Sequence, residues 1–217
     1  ALYLTFYAPG AVKKILVTIF DLMAAFPSIL YGLWGFFVLM PYAVSAAEFL
    51  HRYFGWIPFF QMQAPVFDRS PFVAGVVLAV MIIPIVTSIS REIFSQTPLD
   101  RIQAAYALGS HRWGMIRAVA LPYARGGIVG GAMLGLGRAM GETVAVYTVL
   151  NIVYQINWHI LLGAGGNVAS MILLKFGEAG PLEVKALMAA GLILFLVTLA
   201  VNSAANFIVA KTGKGGR

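Results

Sequence analysis

Cysteine is absent from this 217-residue chain, which excludes a disulfide framework, a thiolate nucleophile and a cysteine-ligated metal centre. Charge is scarce as well: Asp, Glu, Lys and Arg make up 11% of the residues, against 60% hydrophobic. A soluble fold needs a polar surface that this composition cannot supply, so most of the folded chain must face lipid. The net charge of +7 raises nucleic acid as a partner. Nucleic-acid binders gather their basic residues on one exposed face, whereas here Lys and Arg lie between apolar runs, and that reading falls. No Gly-Lys-Ser/Thr phosphate loop follows Gly163-Ala164-Gly165-Gly166, nor does Lys211–Arg217 have that spacing, so no nucleotide site is expected on this chain. His51, His111 and His159 are far apart and in loops, which argues against a metal site. Nothing in the sequence assembles a nucleophile, a base and an oxyanion donor, so it does not read as an enzyme.

Four segments are long enough to span a membrane, since a hydrocarbon core of roughly 30 Å takes about 20 residues of helix. They are about Ile15–Tyr42, Phe72–Ile89, Gly126–Leu150 and Ala186–Ala210, with kinks expected at Pro27 and Pro84. One membrane domain over residues 1–217 is predicted, with no linker. Ala1–Val12 is apolar but too short to cross, and it lacks the flank and cleavage site of a signal peptide. The expectation is that N-terminal sequence precedes it. Lys13 and Lys14, then Arg91, Arg101, Arg112, Arg117 and Arg125, then Lys211, Lys214 and Arg217 alternate onto one side, which the positive-inside rule makes cytoplasmic. The opposite loops balance Arg52 and Arg69 with Glu48 and Asp68, and Lys175 and Lys185 with Glu178 and Glu183. The C-terminus is therefore expected in the cytoplasm. Asp21 is assigned to the cytoplasmic edge beside Lys13 and Lys14. Segment Thr143–Leu162 carries no Lys, Arg, Asp or Glu. It either prolongs the third span or folds back as a re-entrant piece under Asn151 and Asn157.

The cytoplasmic loop holds the first motif. Thr97-Pro98-Leu99-Asp100 places a hydroxyl before proline and a carboxylate three residues on, the chemistry of a helix start. That helix would run through Ala104-Ala105-Tyr106-Ala107-Leu108 and stop at Gly109, a residue free to take the left-handed conformation. Ser110 would cap a second helix from about His111 to Ala120, leading into Leu121-Pro122. Residues 97–120 thus predict a helical elbow shaped for docking. The stretch Gln103-Ala104-Ala105, three residues, Gly109, nine residues, Val119-Ala120-Leu121-Pro122 resembles the EAA signature of ABC importer permeases, with Gln103 in place of Glu and Val119 in place of Ile. In that family this loop is the coupling helix, which sits in a cleft of the cytoplasmic ATPase.

The second motif lies within the third span. Arg138 falls roughly 18 Å along a helix from Gly126, near the bilayer midplane, where arginine costs about 2.5–3.5 kcal/mol and so faces a bundle interior or a water-filled path. Glu142, four residues on, would lie one turn further along the same face. A guanidinium presents a planar fork matched to an oxyanion, so the two residues act either as a latch opened by a substrate anion or as a structural ion pair fixing helix register.

Arg138-Ala139-Met140-Gly141-Glu142-Thr143 resembles the Arg-Ala-Xaa-Gly-Glu-Thr motif of the phosphate-importer permeases PstC and PstA. Phe26-Pro27-Ser28-Ile29-Leu30-Tyr31-Gly32-Leu33-Trp34-Gly35 resembles a second block of the family. Val144-Ala145-Val146 and Ala186–Asn202 are closer to PstC than to PstA. The resemblance implies an all-α, MetI-like transmembrane bundle, with four complete spans here of an expected six, in the bacterial inner membrane. It implies no cofactor on this chain, with ATP and Mg in the partner ATPase. Implied partners are a homologous PstA-like permease, two copies of a PstB-like ATPase, an external PstS-like phosphate-binding protein, inorganic phosphate and membrane lipid. Arg138 and Glu142 are then expected in the substrate pathway, and Gln103, Ala104, Ala105, Gly109, Leu121 and Pro122 in coupling. An importer for sulfate or molybdate is the alternative within the class. A secondary transporter or channel is the alternative outside it.

Overall fold

The structure, a computed structural model, describes residues 1–61, 69–153, 158–163 and 165–213. Asp68, Asn157, Ala164, Lys214 and Arg217, used above to read charge and loops, lie outside the described residues. The chain is helical: α1 (Leu2–Phe6), α2 (Gly10–Ala25), α3 (Ser28–Trp34) running through a π-helical turn (Gly35–Leu39) into α4 (Met40–Phe54), and α5 (Pro71–Ser95). Then come α6 (Leu99–Ala107), α7 (Arg112–Met115) running through a second π-helical turn (Ile116–Ala120) into α8 (Leu121–Met140), α9 (Val144–Val149), α10 (Val168–Lys175) and α11 (Pro181–Gly213). Among the described residues four helical stretches are long and apolar enough to cross a membrane: Ser28–Phe54, Pro71–Ser95, Arg112–Met140 and Pro181–Phe207. The chain is thus an all-α, multi-pass membrane protein.

Two span boundaries differ from those the sequence predicts. The expected span Ile15–Tyr42 is cut at Pro27, whose backbone is extended (φ −56°, ψ 138°). A proline disfavours helical geometry in the residue before it, so α2 ends at Ala25 and the membrane-length helix begins at Ser28. The expected span Gly126–Leu150 instead stops at Met140 and begins at Arg112, with no break at Leu121-Pro122. The two π-turns explain how helices pass Pro41 and Pro122. Met40 N–H donates to Gly35 O, and Leu121 N–H to Ile116 O, each across five residues. The widened turn stands directly before a residue with no N–H and relieves the crowding its ring would impose on the preceding turn.

The described residues form two compact units, one drawn from Ala1–Ala25, Ile82–Arg138 and the segment from Leu199, the other from Phe26–Met81 and Ala139–Thr198. In the first, Phe94, Ala105, Met115, Ile116, Ala120 and Ala124 form a buried cluster, with Leu2, Phe6, Ile93 and Ile102 packed against it. In the second, Tyr31, Val73, Val77, Met81, Ala145, Val146, Val149 and Leu161 are buried. There α3 lies against α9 so closely that a Cβ at Gly32 would sit 2.8 Å from Ala145 Cα. Within the block Phe26–Gly35, Gly32 is therefore the point of close backbone contact.

Candidate functional site

The glycines of α8 divide it into two faces within the first unit. Gly127, Gly131 and Gly135, four apart, meet Ile93, Ile89 and Ile82 of α5; a Cβ at Gly131 would lie 3.0 Å from Ile89 Cγ2. Such small-residue stripes let membrane helices pack backbone to backbone. On the other face Gly130, Leu134 and Arg138, also four apart, line a cavity of about 410 Å³ with Met133, Gly137, Asn202 and Asn206. Arg138 is exposed to this space, as a guanidinium must be if it is to escape the cost of contact with hydrocarbon. The other polar side chains in the lining are two neutral carboxamides on consecutive turns of α11. The composition signal for them was present, since two Asn four apart in an apolar helix are costly at membrane depth, but their meeting with Arg138 joins residues more than sixty positions apart.

Glu142 is placed differently from the sequence expectation. Because α8 ends at Met140, Glu142 is not on that helix and the argument that it shares a helical face with Arg138 lapses. Its side chain lies in the second unit, 8% exposed, with Oε1 accepting from Ala145 N–H at 3.2 Å in the first turn of α9. Two side chains at the start of α10 satisfy the broken backbone around it. Asn167 Nδ2 donates to Glu142 O at 2.8 Å, and Ser170 Oγ donates to Thr143 O at 2.8 Å. Asn167 Oδ1 also accepts from Ala169 N–H at 2.9 Å, capping α10. Glu142 O, freed by the helix break, needs such a partner, while Thr143 O also accepts from Tyr147 N–H at 3.0 Å as α9 begins. Beyond α9 the chain does not prolong the helix but folds back, with Val153 N–H donating to Gly165 O at 2.9 Å and Gly165 N–H to Asn151 O at 3.2 Å.

The elbow forms at the predicted residues. Leu108 N–H donates to Ala104 O, Gly109 N–H to Tyr106 O at 2.9 Å and Ser110 N–H to Ala105 O at 3.1 Å, while Gly109 takes φ 81°. These bonds close α6 in a Schellman motif. Its caps depart from expectation. Pro98 and His111 are the N-cap residues of α6 and α7, without side-chain capping bonds. Ser110 therefore does not cap, and Thr97 Oγ1 is buried with no hydrogen-bond partner among the described residues. Of the motif residues, Gln103, Ala104 and Gly109 are exposed, Ala105 belongs to the buried cluster, and Leu121 and Pro122 are exposed on the continuous helix. Leu99 and Leu108 stand 71% and 88% exposed on the elbow.

Asp21 is not tied to Lys13 or Lys14. Its Oδ1 accepts from Ser88 Oγ at 2.9 Å and lies 3.8 Å from Arg91 Nη2, joining α2 to α5. His51 and His159, remote in sequence, both bond one short turn, Nδ1 of each lying 3.0 and 2.9 Å from Phe60 O and Pro58 O. No group of His, Asp or Glu able to hold a metal occurs among the described residues.

Four helices able to cross a membrane, a helical elbow between two of them and a cavity lined by Arg138 frame a membrane component, and this chain belongs to the family described as binding-protein-dependent transport system inner membrane component, which matches residues 1–214. Within it, the chain is similar to phosphate transport system permease protein PstC 2 of Mycobacterium tuberculosis, 46% identical over 211 residues, 96% of this chain and 65% of that protein. It is also similar to PstC of Mycobacterium leprae (43% over 221 residues, 100% and 67%) and of Pasteurella multocida (39% over 217 residues, 99% and 68%). The chain spans 65% of the length of the Mycobacterium tuberculosis relative.

Proposed function

We propose that this chain is the PstC-like permease subunit of an ATP-driven phosphate importer in the bacterial cytoplasmic membrane, with its C-terminus in the cytoplasm. The observation that carries the reading is the open cavity lined by Arg138, whose polar neighbours in the lining are uncharged. Arg138 stands in the last turn of α8, two residues from the end of the span Arg112–Met140, and not at the midplane the sequence predicts; a guanidinium there with no carboxylate in its cavity lining is accounted for by an anion that passes it. The printed names of the relatives supply phosphate as that anion. Glu142 acts in the pathway by holding the helix break open, its carboxylate bound to the α9 backbone.

Energy comes from partners. Of two copies of a cytoplasmic ATPase of the PstB type, holding ATP and Mg, one engages the elbow of residues 97–120 through Gln103, Ala104 and Gly109, while buried Ala105 anchors the elbow to its own unit. Leu121 and Pro122 pass the movement into α8. A PstA-like permease completes the pathway, and a PstS-like binding protein delivers phosphate from outside. Residues 1–217 act as a single permease domain in which ATP-driven displacement of the elbow alternates access to Arg138.

Uptake of labelled phosphate by the complete reconstituted complex tests the reading. Arg138→Gln, with assembly intact, is expected to lower uptake about 10–100-fold, the effect of losing a charge-assisted bidentate contact worth about 1.5–3 kcal/mol. Unchanged uptake overturns the pathway role. Transport of sulfate or molybdate in place of phosphate would move the chain to another oxyanion importer. Transport driven by an ion gradient without ATPase would move it to a secondary transporter.

A further inference from the structure

The carboxamides that line the cavity with Arg138 supply what a guanidinium lacks. Arginine offers five N–H donors and no acceptor, whereas each Asn offers two donors and a carbonyl acceptor. Asn202 and Asn206 are four apart on α11, so their side chains share a helical face, and both line the cavity with Arg138. Asn202 lies close against α8, since a Cβ at Gly137 would be 3.2 Å from its Oδ1. Among the described residues neither carboxamide has a hydrogen-bond partner.

We infer that Asn202 and Asn206 form, with Arg138, a site that selects a protonated oxyanion over a fully deprotonated one, and so phosphate over sulfate. This rests on the importer reading above and adds its specificity determinant. Near neutral pH both abundant ionised forms of phosphate keep at least one P–OH, a donor that demands an acceptor. Sulfate has none. A site of guanidinium donors alone suits sulfate, and leaves a phosphate hydroxyl unpaired at a cost comparable to a lost hydrogen bond. A carboxylate would accept that proton but cancel the arginine charge. A carboxamide oxygen accepts it without doing so, and the amide N–H groups bond the remaining oxygens. At about 410 Å³ the cavity holds the anion together with several waters, each taking roughly 30 Å³.

Protection of a single engineered thiol tests this without depending on the selectivity of an upstream binding protein. Residues 1–217 contain no cysteine, so Leu134→Cys, on the cavity wall, gives one reactive site within them in the assembled complex, with alkylation read at that residue by mass spectrometry. Millimolar inorganic phosphate is expected to slow alkylation at least about fivefold, and sulfate at equal ionic strength less than twofold. Adding Asn202→Leu or Asn206→Leu should raise the phosphate concentration needed for half-protection about 5–10-fold, the loss of one net hydrogen bond near 1 kcal/mol. Asn202→Ser and Asn206→Ser, which retain a hydroxyl, should fall between these and the parent, and serve where a leucine variant fails to assemble. Equal protection by phosphate and sulfate, no protection by either, or protection unmoved in every Asn variant overturns the inference. The importer reading is judged separately, by labelled phosphate uptake in the complex with the native chain. If that uptake is present while the thiol shows no discrimination, the carboxamides alone are wrong. If uptake is absent, the importer reading itself is wrong.

Discussion

The elbow of residues 97–120 and the helix break of residues 139–170 are both interruptions in an otherwise helical chain, and they are held by opposite means. The elbow turns through bonds among neighbours: three backbone N–H groups closing α6 within five residues, and a glycine at φ 81° that meets nothing within 4 Å of where a Cβ would be. The break is held from a distance. Asn167 and Ser170 reach back 25 and 27 residues to the carbonyls of Glu142 and Thr143, while α3, more than a hundred residues earlier, packs on α9 at Gly32. One bend is a property of a short peptide, the other of a packed unit. The same residue type therefore has different duties: Gly109 supplies conformation and Gly32 supplies space.

The largest effect is expected where the break meets α3. A valine at Gly32 would collide with Thr148 Oγ1 and with the backbone of Ala145, at 2.8 Å from its Cα and 3.2 Å from its O. Backbone cannot yield as a side chain can, so Gly32→Val should cost at least the upper end of the 1–3 kcal/mol usual for overpacking. In the purified complex this appears as a marked fall in the thermal unfolding midpoint or a failure to assemble. Next comes the double variant Asn167→Ala with Ser170→Ala, expected to lose about 1–3 kcal/mol for three side-chain hydrogen bonds, the cap of α10 among them. It should also speed amide exchange at Val144–Val149. If α9 exchanges no faster, the break is not held by those side chains.

Gly109→Val should cost about 1–2 kcal/mol for a side chain in the left-handed region. Because nothing packs on Gly109, the cost stays local: the four spans remain folded and co-purification of the ATPase drops. A loss of thermal stability greater than that of Gly32→Val would erase the distinction between the two bends. The smallest effect belongs to Asp21→Asn. The Asp21–Arg91 pair is partly exposed and 3.8 Å long, a type worth about 0–1 kcal/mol. Its loss should be hard to detect above physiological salt, where exposed charges are screened.

Legibility followed the same division. Gly109 as a helix stop follows from the backbone sterics of one residue and stands in the structure, whereas Pro27, expected to kink the first span, instead separates α2 from it. The passage of the helix through Pro122 was misread, because whether a proline breaks or is absorbed depends on a π-turn that packing of Met115, Ile116 and Ala120 permits. The same-face argument for Arg138 and Glu142 assumed that the helix continues. Met140 ends it, and the partners that make this tolerable, Asn167 and Ser170, are not near in sequence. Asn202 and Asn206 went unassigned because no motif links α11 to α8.

By itself the sequence determined that lipid is the chief solvent, that four helices can cross it, and how the elbow ends. These follow from transfer free energies and dihedral limits that each residue carries wherever it sits. Tertiary structure alone decided that one glycine stripe of α8 meets α5 while Arg138 lines a cavity beside it, that Glu142 turns to the backbone of α9, and that two carboxamides of α11 line the same cavity as Arg138. Those outcomes depend on which surfaces come within a few ångströms of each other, and that is a property of the packed chain.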